Sequence, residues 1–229
     1  MENRKHTSLK DLAQALGVSI PTVSRALKDS PEISRELCAK AKALAKEMNY
    51  RPNPFAMSLR KNAPRIIGVI VPDIVTHFFA SILNGIENMA IANGYFVIIT
   101  TSHESYEHEK RNIENLVNMR VEGIIACLSQ ETTDFSHISA LKDINMPLIL
   151  FDRVCLTDQF SSVIADGVQS AQMATQHLLD NGSKRVAFIG GANHLDIVKR
   201  RKHGYLEALR ENRIPIEKEL VVCRKIDYE

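Results

Sequence analysis

The chain has 229 residues, 45% hydrophobic and 24% charged, a composition typical of a globular protein with room for a small and a larger domain. No stretch reaches the roughly 18 consecutive apolar residues of a membrane span, and the N-terminus lacks the apolar core of a secretory signal. The four cysteines lie far apart, which excludes a CxxC zinc pair and favours a reduced, cytoplasmic protein. We therefore expect no association with a membrane.

The net charge of +2 is unevenly distributed along the chain. Residues 1–65 carry 13 Lys and Arg against 6 Asp and Glu, a net of +7, whereas residues 66–229 carry 16 against 21, a net of −5. A basic head on an acidic body fits a polyanion-binding segment attached to a module with another task. A chance bias of the surface would give the same asymmetry, so charge alone leaves both interpretations open.

The first fifty residues contain the signals of three short helices. An S-x-x-D start at Ser8 precedes apolar residues at helical spacing, and Gly17 ends this first helix. Ser19 can cap a second helix and Ser34 a third. Helix, tight turn and helix over residues 8–28 have the length of a helix-turn-helix, although an ordinary three-helix bundle has the same spacing.

From Ile66 onward the pattern changes to apolar strands that alternate with helices. Short apolar strands separated by helices indicate a parallel sheet with covered faces, so we expect an all-α headpiece followed by a doubly wound α/β module. The strands are expected at 66–71, 95–100, 123–128, 147–151, 163–165, 185–189 and 220–223, and the helices at 78–92, 106–119, 135–144, 168–181 and 196–211.

The second helix carries the residues best suited to reading DNA. In a helix-turn-helix this helix lies in the major groove with its first residues near base edges. Arg25 follows one turn later on the same face and can donate two hydrogen bonds to guanine O6 and N7. The residues near base edges are Ser19, Ile20, Pro21 and Thr22, and those suited to phosphates are Ser8, Ser24, Lys28, Ser34 and Tyr50.

Longer strings of the sequence indicate a family. LKDLAQALGVSIPTVSRALKDSPEIS, followed by NYRPNPFAMSLR, closely resembles the headpiece and hinge of the lactose-repressor (LacI/GalR) family. The resemblance continues in IGVIVPDI, FFASILNGIENMAIANGY, VEGIIACLS, PLILFDR and GYLEALRENRIP, and so covers essentially the whole chain. It implies a bacterial repressor that binds near-palindromic operator DNA as a homodimer and responds to a small-molecule effector, either a sugar or a metabolite such as a sugar phosphate.

The resemblance also implies a domain division and DNA-contacting roles. Residues 1–51 would form the headpiece, 52–65 the hinge helix and linker, 66–166 the first lobe of a periplasmic-binding-protein-like sensor, and 167–229 part of a second lobe. The positions that match residues reading base edges in the family are Ile20, Pro21 and Arg25. Those that match contacts to the DNA backbone are Thr22, Ser24, Lys28 and Ser34. Those that match the hinge helix, which lies in the minor groove, are Asn53, Ala56 and Leu59. Leu59 would be the apolar wedge that unstacks a base step.

Polar residues follow several of the expected strands, where doubly wound sheets bind their ligands. Helix capping or surface ion pairing would explain each of them about equally well, and the two phenylalanines could equally belong to the core. The resemblance places effector contacts near Asp73, Phe78, Phe79, Asp152, Arg153, Asp166 and Arg201, and Ser102 joins them by its place after the second strand.

The sequence departs from the family pattern in two places and in length. Thr76-His77 stands where Asn-Pro is common, and Leu195 and Ile197 stand where some relatives have polar effector ligands, so the effector's identity is not carried over. Family members have a second lobe built like the first, whereas this sequence ends after about two strands of it. We therefore expect an incomplete effector cleft and a weak response to effector.

Two other classes of protein fit the sequence less well. A solute-binding protein of the same sensor fold would lack the headpiece and carry a signal peptide. An enzyme on a doubly wound sheet would need a motif such as GxGxxG, a P-loop or GxSxG, none of which occurs. The histidines show no H-x-E or H-E-x-x-H spacing. We assign no catalytic residue, cofactor or metal, and expect a cytoplasmic, nucleoid-associated regulator.

Overall fold

The computed structural model describes residues 7–50 and 65–224. The chain divides into two compact units, Met1–Asn62 and Ala63–Glu229. The three expected hinge residues, Asn53, Ala56 and Leu59, lie outside the described residues. None of the helices within the described ranges combines the length and the apolar composition needed to cross a membrane.

The headpiece unit contains three helices with local start and stop signals. They are α1 (Leu9–Leu16), α2 (Ile20–Ala26) and α3 (Arg35–Glu47). Ser8 and Asp11 form the expected capping box, in which the Asp11 carboxylate accepts from the Ser8 amide at 2.8 Å. Gly17 ends α1 in the left-handed conformation at φ 64°, where a Cβ would be strained. The predicted helix starts at Ser19 and Ser34 are likewise confirmed.

A small apolar core joins these helices. Leu12 and Val23 are fully buried, as are Ala26 and Ala41. The partly buried Leu44 and other apolar side chains pack around them. The buried stripe of α2 therefore faces the other two helices, and its opposite side faces solvent.

The first lobe of the second unit is a five-stranded parallel sheet in the order β2-β1-β3-β4-β5. One face packs against α4 and the other against α5 and α6, which confirms the doubly wound fold. The elements are β1 (Ile66–Val71), α4 (His77–Ala92), β2 (Phe96–Thr101), α5 (Tyr106–Asn118), β3 (Gly123–Ala126), α6 (Ser136–Asp143), β4 (Leu148–Phe151) and β5 (Ser161–Val163).

Of the five strands of this sheet, β1 alone has its predicted bounds, and the largest differences are at the ends of β3 and β5. We expected β3 to run to residue 128, but it ends at Ala126. Cys127 and Leu128 are buried beyond the end of the strand, so the apolar run in the sequence is longer than the strand itself. The fifth strand begins two residues earlier than expected, at Ser161. It lies at the edge of the sheet with exposed residues, so apolar patterning does not mark it.

The second lobe is represented by two helices and two strands. They are α7 (Gly167–Asp180), β6 (Phe188–Gly190), α8 (Asp196–Glu211) and β7 (Val221–Cys223), with a 3-10 turn at Lys218–Leu220. The strands pair in parallel. Gly204 of α8 lies so close to α7 that a Cβ there would collide with the carbonyl of Val168. Tyr205 adds a hydrogen bond of 2.8 Å from its hydroxyl to the carbonyl of Val186.

Candidate functional site

The solvent side of α2 carries the three residues expected to read bases. Ile20 is 43% exposed, Pro21 is exposed, and the side chain of Arg25 is 57% exposed. Ile20 and Pro21 are thus two adjacent exposed apolar residues at the start of α2. The guanidinium of Arg25 donates from Nη1 to the Glu32 carboxylate at 2.9 Å, a contact that the sequence analysis did not anticipate.

Three of the hydroxyls that were expected to contact DNA cap the N-termini of α1, α2 and α3. The hydroxyls of Ser8, Ser19 and Ser34 each accept from a backbone amide at 3.3 Å, and the Ser19 and Thr22 hydroxyls lie 2.8 Å apart. A hydroxyl that accepts from an amide still has a proton to donate, but the Ser8 hydroxyl already donates to the Asp11 carboxylate at 2.8 Å, so a phosphate would compete with Asp11 there. Of the other candidates, Lys28 is exposed, Ser24 is buried, and Tyr50 is half-buried, which raises the pKa of its phenol.

In the sensor unit, the carboxyl ends of the parallel strands meet at one edge of the sheet. The Phe78 and Phe79 rings lie 5.1 Å apart, and Phe79 contacts Phe151 edge-on at 6.5 Å. Phe151 ends β4 and is followed by Asp152 and Arg153. The start of α4 and the end of β4, two of the predicted effector-contacting segments, are therefore adjacent.

Asp152 is half-buried and has a left-handed backbone conformation. Its φ of 57° lies in the left-handed region, which non-glycine residues occupy mostly at turns and functional sites. Burial raises the pKa of its carboxyl group, while the charges of Arg153 and Arg201 act in the opposite direction. The electrostatic influence of Arg201 places this second-lobe residue near the end of β4.

Arg153 is held by Glu104, a residue that the sequence analysis missed. Its two terminal nitrogens donate to the Glu104 carboxylate at 2.6 and 2.9 Å, and Nη1 also lies 3.2 Å from the carbonyl of Leu128. Burial would lower the pKa of Arg153, but the hydrogen bonds and charge of Glu104 outweigh it and the pKa is raised. Glu104 lies two residues beyond Ser102, at the same strand end, and the strand-end rule could have found it.

Asp73 and Asp166 organise the turns in which they lie. Asp73 accepts from the amide of Val75 at 2.9 Å, and Asp166 caps α7 by accepting from Val168 and Gln169 at 3.1 and 3.0 Å. Arg201 packs beside the start of α7, because a Cβ at Gly167 would lie 3.5 Å from its Cγ. Asp166 and Arg201 thus approach the same region from the two helices of the second lobe.

Two predicted effector contacts lie inside the protein. Ser102 is completely buried, and its hydroxyl finds no hydrogen-bond partner among the described residues. Phe79 is 7% exposed and belongs to the core beneath α4, whereas Phe78 is 52% exposed. Of the aromatic pair, Phe78 is the ring that a ligand can reach.

Other features of this unit were not predicted. His194 of the second lobe lies 2.7 Å, through Nε2, from the carbonyl of Gln130 in the first lobe. Thr76, in the segment that departs from the family pattern, precedes α4 without making a side-chain cap, and its buried hydroxyl has no partner among the described residues. The entry to α4 therefore lacks a side-chain cap of the kind found at α7.

A buried polar network orders the loop that follows β3. Glu109 is fully buried, accepts from the Ser129 amide and the Thr132 hydroxyl at 2.5 and 2.9 Å, and lies 2.8 Å from His137 Nε2. A buried carboxylate needs such partners to offset its lost hydration. Within the described parts of the chain, no group of three or more His, Cys, Asp or Glu residues could hold a metal ion.

Comparison with known families gives two matches. Residues 8–53 match the model described as bacterial regulatory proteins of the lacI family. Residues 65–229 match the model described as periplasmic binding proteins and the sugar-binding domain of the LacI family. The two matches correspond to the helical unit and the α/β unit.

Curated relatives match over most of this chain. Catabolite control protein A of Priestia megaterium is 32% identical over 229 residues, covering 98% of this chain and 67% of the relative. The ribose operon repressor of Bacillus subtilis (strain 168) is 31% identical over 210 residues, covering 92% of this chain and 62% of the relative. The chain thus spans about two thirds of the length of these relatives, which are named for regulation rather than for catalysis.

A solved structure agrees with the sequence matches. The lac repressor dimer bound to operator and the anti-inducer ONPF matches with a TM-score of 0.74 and 25% identity, covering 96% of this chain and 66% of that one. The transcription regulator CcpA of Lactococcus lactis matches with a TM-score of 0.65 and 29% identity, covering 71% of this chain and 59% of that one. The chain belongs to the LacI family of bacterial regulatory proteins.

Proposed function

We propose that this protein is a sequence-specific transcriptional repressor whose operator affinity is altered by a small-molecule effector. The observation that supports this most directly is the solvent side of α2, where Ile20, Pro21 and Arg25 project from a helix-turn-helix. This helix belongs to the part of the chain with a net charge of +7, which favours a polyanionic partner.

The proposed contacts divide into base readout and backbone positioning. Ile20 and Pro21 contact thymine methyl groups, and Arg25 donates to guanine. One such helix reads only a few base pairs, so we propose a homodimer on a near-palindromic operator. Backbone contacts are assigned to Ser8, Ser19, Thr22, Ser24, Lys28, Ser34 and Tyr50, and minor-groove contacts to the hinge residues Asn53, Ala56 and Leu59.

Selection of duplexes from a random pool by the full chain tests the DNA-binding part of the proposal. We expect a near-palindromic consensus, and Arg25→Ala should cost about 1–3 kcal/mol on that site while relaxing specificity at one position. Lys28→Ala is the matched control, because a phosphate contact should weaken binding equally on all sequences. Equal losses for Arg25→Ala on consensus and random duplexes would assign Arg25 to phosphate as well.

For the sensor we propose a neutral polyhydroxylated ligand such as a sugar, rather than a sugar phosphate. Arg153 is neutralised by its two hydrogen bonds to Glu104, which reduces the attraction for a phosphate. Asp152 offers a half-buried carboxyl group that can bind sugar hydroxyls, and Phe78 offers an exposed ring on which a sugar can stack. Asp73, Asp166 and Arg201 complete the proposed contacts, while Ser102 and Phe79 support them from the core.

The ligand part of the proposal is tested by calorimetric titration of the full chain with neutral sugars, sugar phosphates and purines. We expect a neutral sugar to bind in preference to a sugar phosphate and to change operator affinity only weakly, as predicted from the sequence, because an effector shifts a conformational equilibrium only by its differential affinity for two arrangements. Tight binding of a sugar phosphate, with no neutral sugar bound, would contradict the assigned ligand class. A cytoplasmic location at the nucleoid follows from the proposed operator binding.

A further inference from the structure

The turn between α2 and α3 carries a carboxylate next to the proposed base-reading arginine. Glu32 accepts from Arg25 Nη1 at 2.9 Å, and the two side chains are 66% and 57% exposed. We propose that Glu32 is a specificity-determining residue, which holds Arg25 in the orientation that reads a base and keeps it from binding DNA phosphates. This inference rests on the proposed function, in which Arg25 faces the major groove.

The turn that carries Glu32 is well anchored. The amide of Ser30 donates to the Arg25 carbonyl at 3.1 Å, and that of Ile33 donates to the Ser30 carbonyl at 3.0 Å. Asp29, with a φ of 53°, pairs with Lys42 of α3 at 2.5 Å. Ile33 packs against the buried cluster of Ala26, Cys38 and Ala41. The backbone that bears the carboxylate is therefore fixed relative to the end of α2.

The geometry of the guanidinium makes the pair compatible with base readout. Glu32 contacts Nη1, on the edge of the guanidinium away from the Nε proton. The parallel N–H groups of Nε and Nη2 lie on the other edge and match the two acceptors of guanine, O6 and N7. An arginine held by one edge can thus present its two-donor fork to a base.

The carboxylate also acts against nonspecific binding. An exposed ion pair contributes little to protein stability in water, but Glu32 places a negative charge beside the surface that approaches DNA. Phosphates offer Arg25 a competing partner of the same charge as Glu32. With Glu32 removed, Arg25 is freer to adopt orientations that serve any DNA sequence.

The test compares discrimination at the base pair read by Arg25. The consensus duplex is first selected from a random pool by the unaltered chain, and the base pair is identified by its loss of preference in Arg25→Ala. For Glu32→Ala we expect discrimination at that pair to fall about fivefold or more, and affinity for random duplex to rise. Glu32→Gln, which keeps a hydrogen-bond acceptor, should retain an intermediate discrimination.

The chain offers a matched control for the lost charge. Glu36 is an exposed carboxylate of the same unit that pairs with Lys40 at 2.7 Å. Glu36→Ala should raise affinity for consensus and random duplexes alike and leave discrimination unchanged. In an Arg25→Ala background, Glu32→Ala should have no further effect on discrimination, because its action is exerted through Arg25.

The outcomes separate this inference from the proposed function. A chain that selects a consensus but keeps full discrimination in Glu32→Ala overturns the role of Glu32 alone, as does a loss no larger than that of Glu36→Ala. Failure of the unaltered chain to select any sequence overturns the proposed function and this inference with it.

Discussion

The candidate DNA-binding residues of the headpiece come from one continuous stretch, 8–50, whereas the candidate cleft collects residues spread over 73–201. In the headpiece, Ser8 and Ser34 cap the helices that they start, and both are also proposed to contact DNA phosphates. In the sensor, Asp152 and Arg201 approach one another only because sheet and helices bring separate segments together. The headpiece site is therefore built from local interactions, while the cleft depends on long-range packing.

The largest effect is expected from a substitution in the core of the headpiece, which tests whether the headpiece folds independently of the sensor. Leu12→Ala removes a fully buried side chain from a small core and should cost about 2–5 kcal/mol of unfolding free energy. We expect DNA binding to be lost, while sugar binding and the melting transition of the sensor stay unchanged. Gln14→Ala, at an exposed position of the same helix, is the control that should retain DNA binding. Loss of sugar binding in Leu12→Ala would show that the units are not independent.

A second variant tests the long-range packing of the sensor. Gly204→Ala should destabilise the sensor by about 1–3 kcal/mol, because even a methyl group there collides with the carbonyl of Val168. Gly85→Ala, in α4, is the matched control, since a Cβ there meets nothing within 4 Å and should stabilise the helix by about 0.5–1 kcal/mol. Urea unfolding followed by circular dichroism measures both changes. An unchanged midpoint for Gly204→Ala would show that α7 and α8 can separate at little cost.

The smallest effect on stability is expected from Asp152→Asn, which separates the contribution of Asp152 to ligand binding from its contribution to folding. Burial raises the pKa of this carboxyl group, so its ionised form is disfavoured in the folded sensor. Asp152→Asn should therefore raise the melting temperature of the sensor at pH 7 and abolish sugar binding. A raised folded-state pKa means that stability falls as the pH rises through it, so the gain should vanish at acidic pH, where the native carboxyl is also neutral. A lower melting temperature at pH 7 would contradict this.

Sequence reasoning predicted the elements far better than the contacts at the site. The helix starting at Asp196 was predicted with its observed bounds, because charged and apolar residues alternate there at helical spacing. The position of β5 was predicted two residues too late, since an exposed edge strand has no apolar pattern to mark it. Glu104 was missed as the partner of Arg153, because the two are 49 residues apart in sequence and only the sheet makes them neighbours.

The sequence by itself determined the helix-turn-helix, its caps at Ser8 and Ser19, the doubly wound order of strands and helices, and the family. These features depend on residue types at short spacing, which the chain displays directly. Only the tertiary structure decided that Phe78 rather than Phe79 is exposed, that Ser102 is buried, and that Arg25 is paired with Glu32. Exposure and ion pairing depend on how distant or differently oriented segments pack, and no local pattern of residues encodes that arrangement.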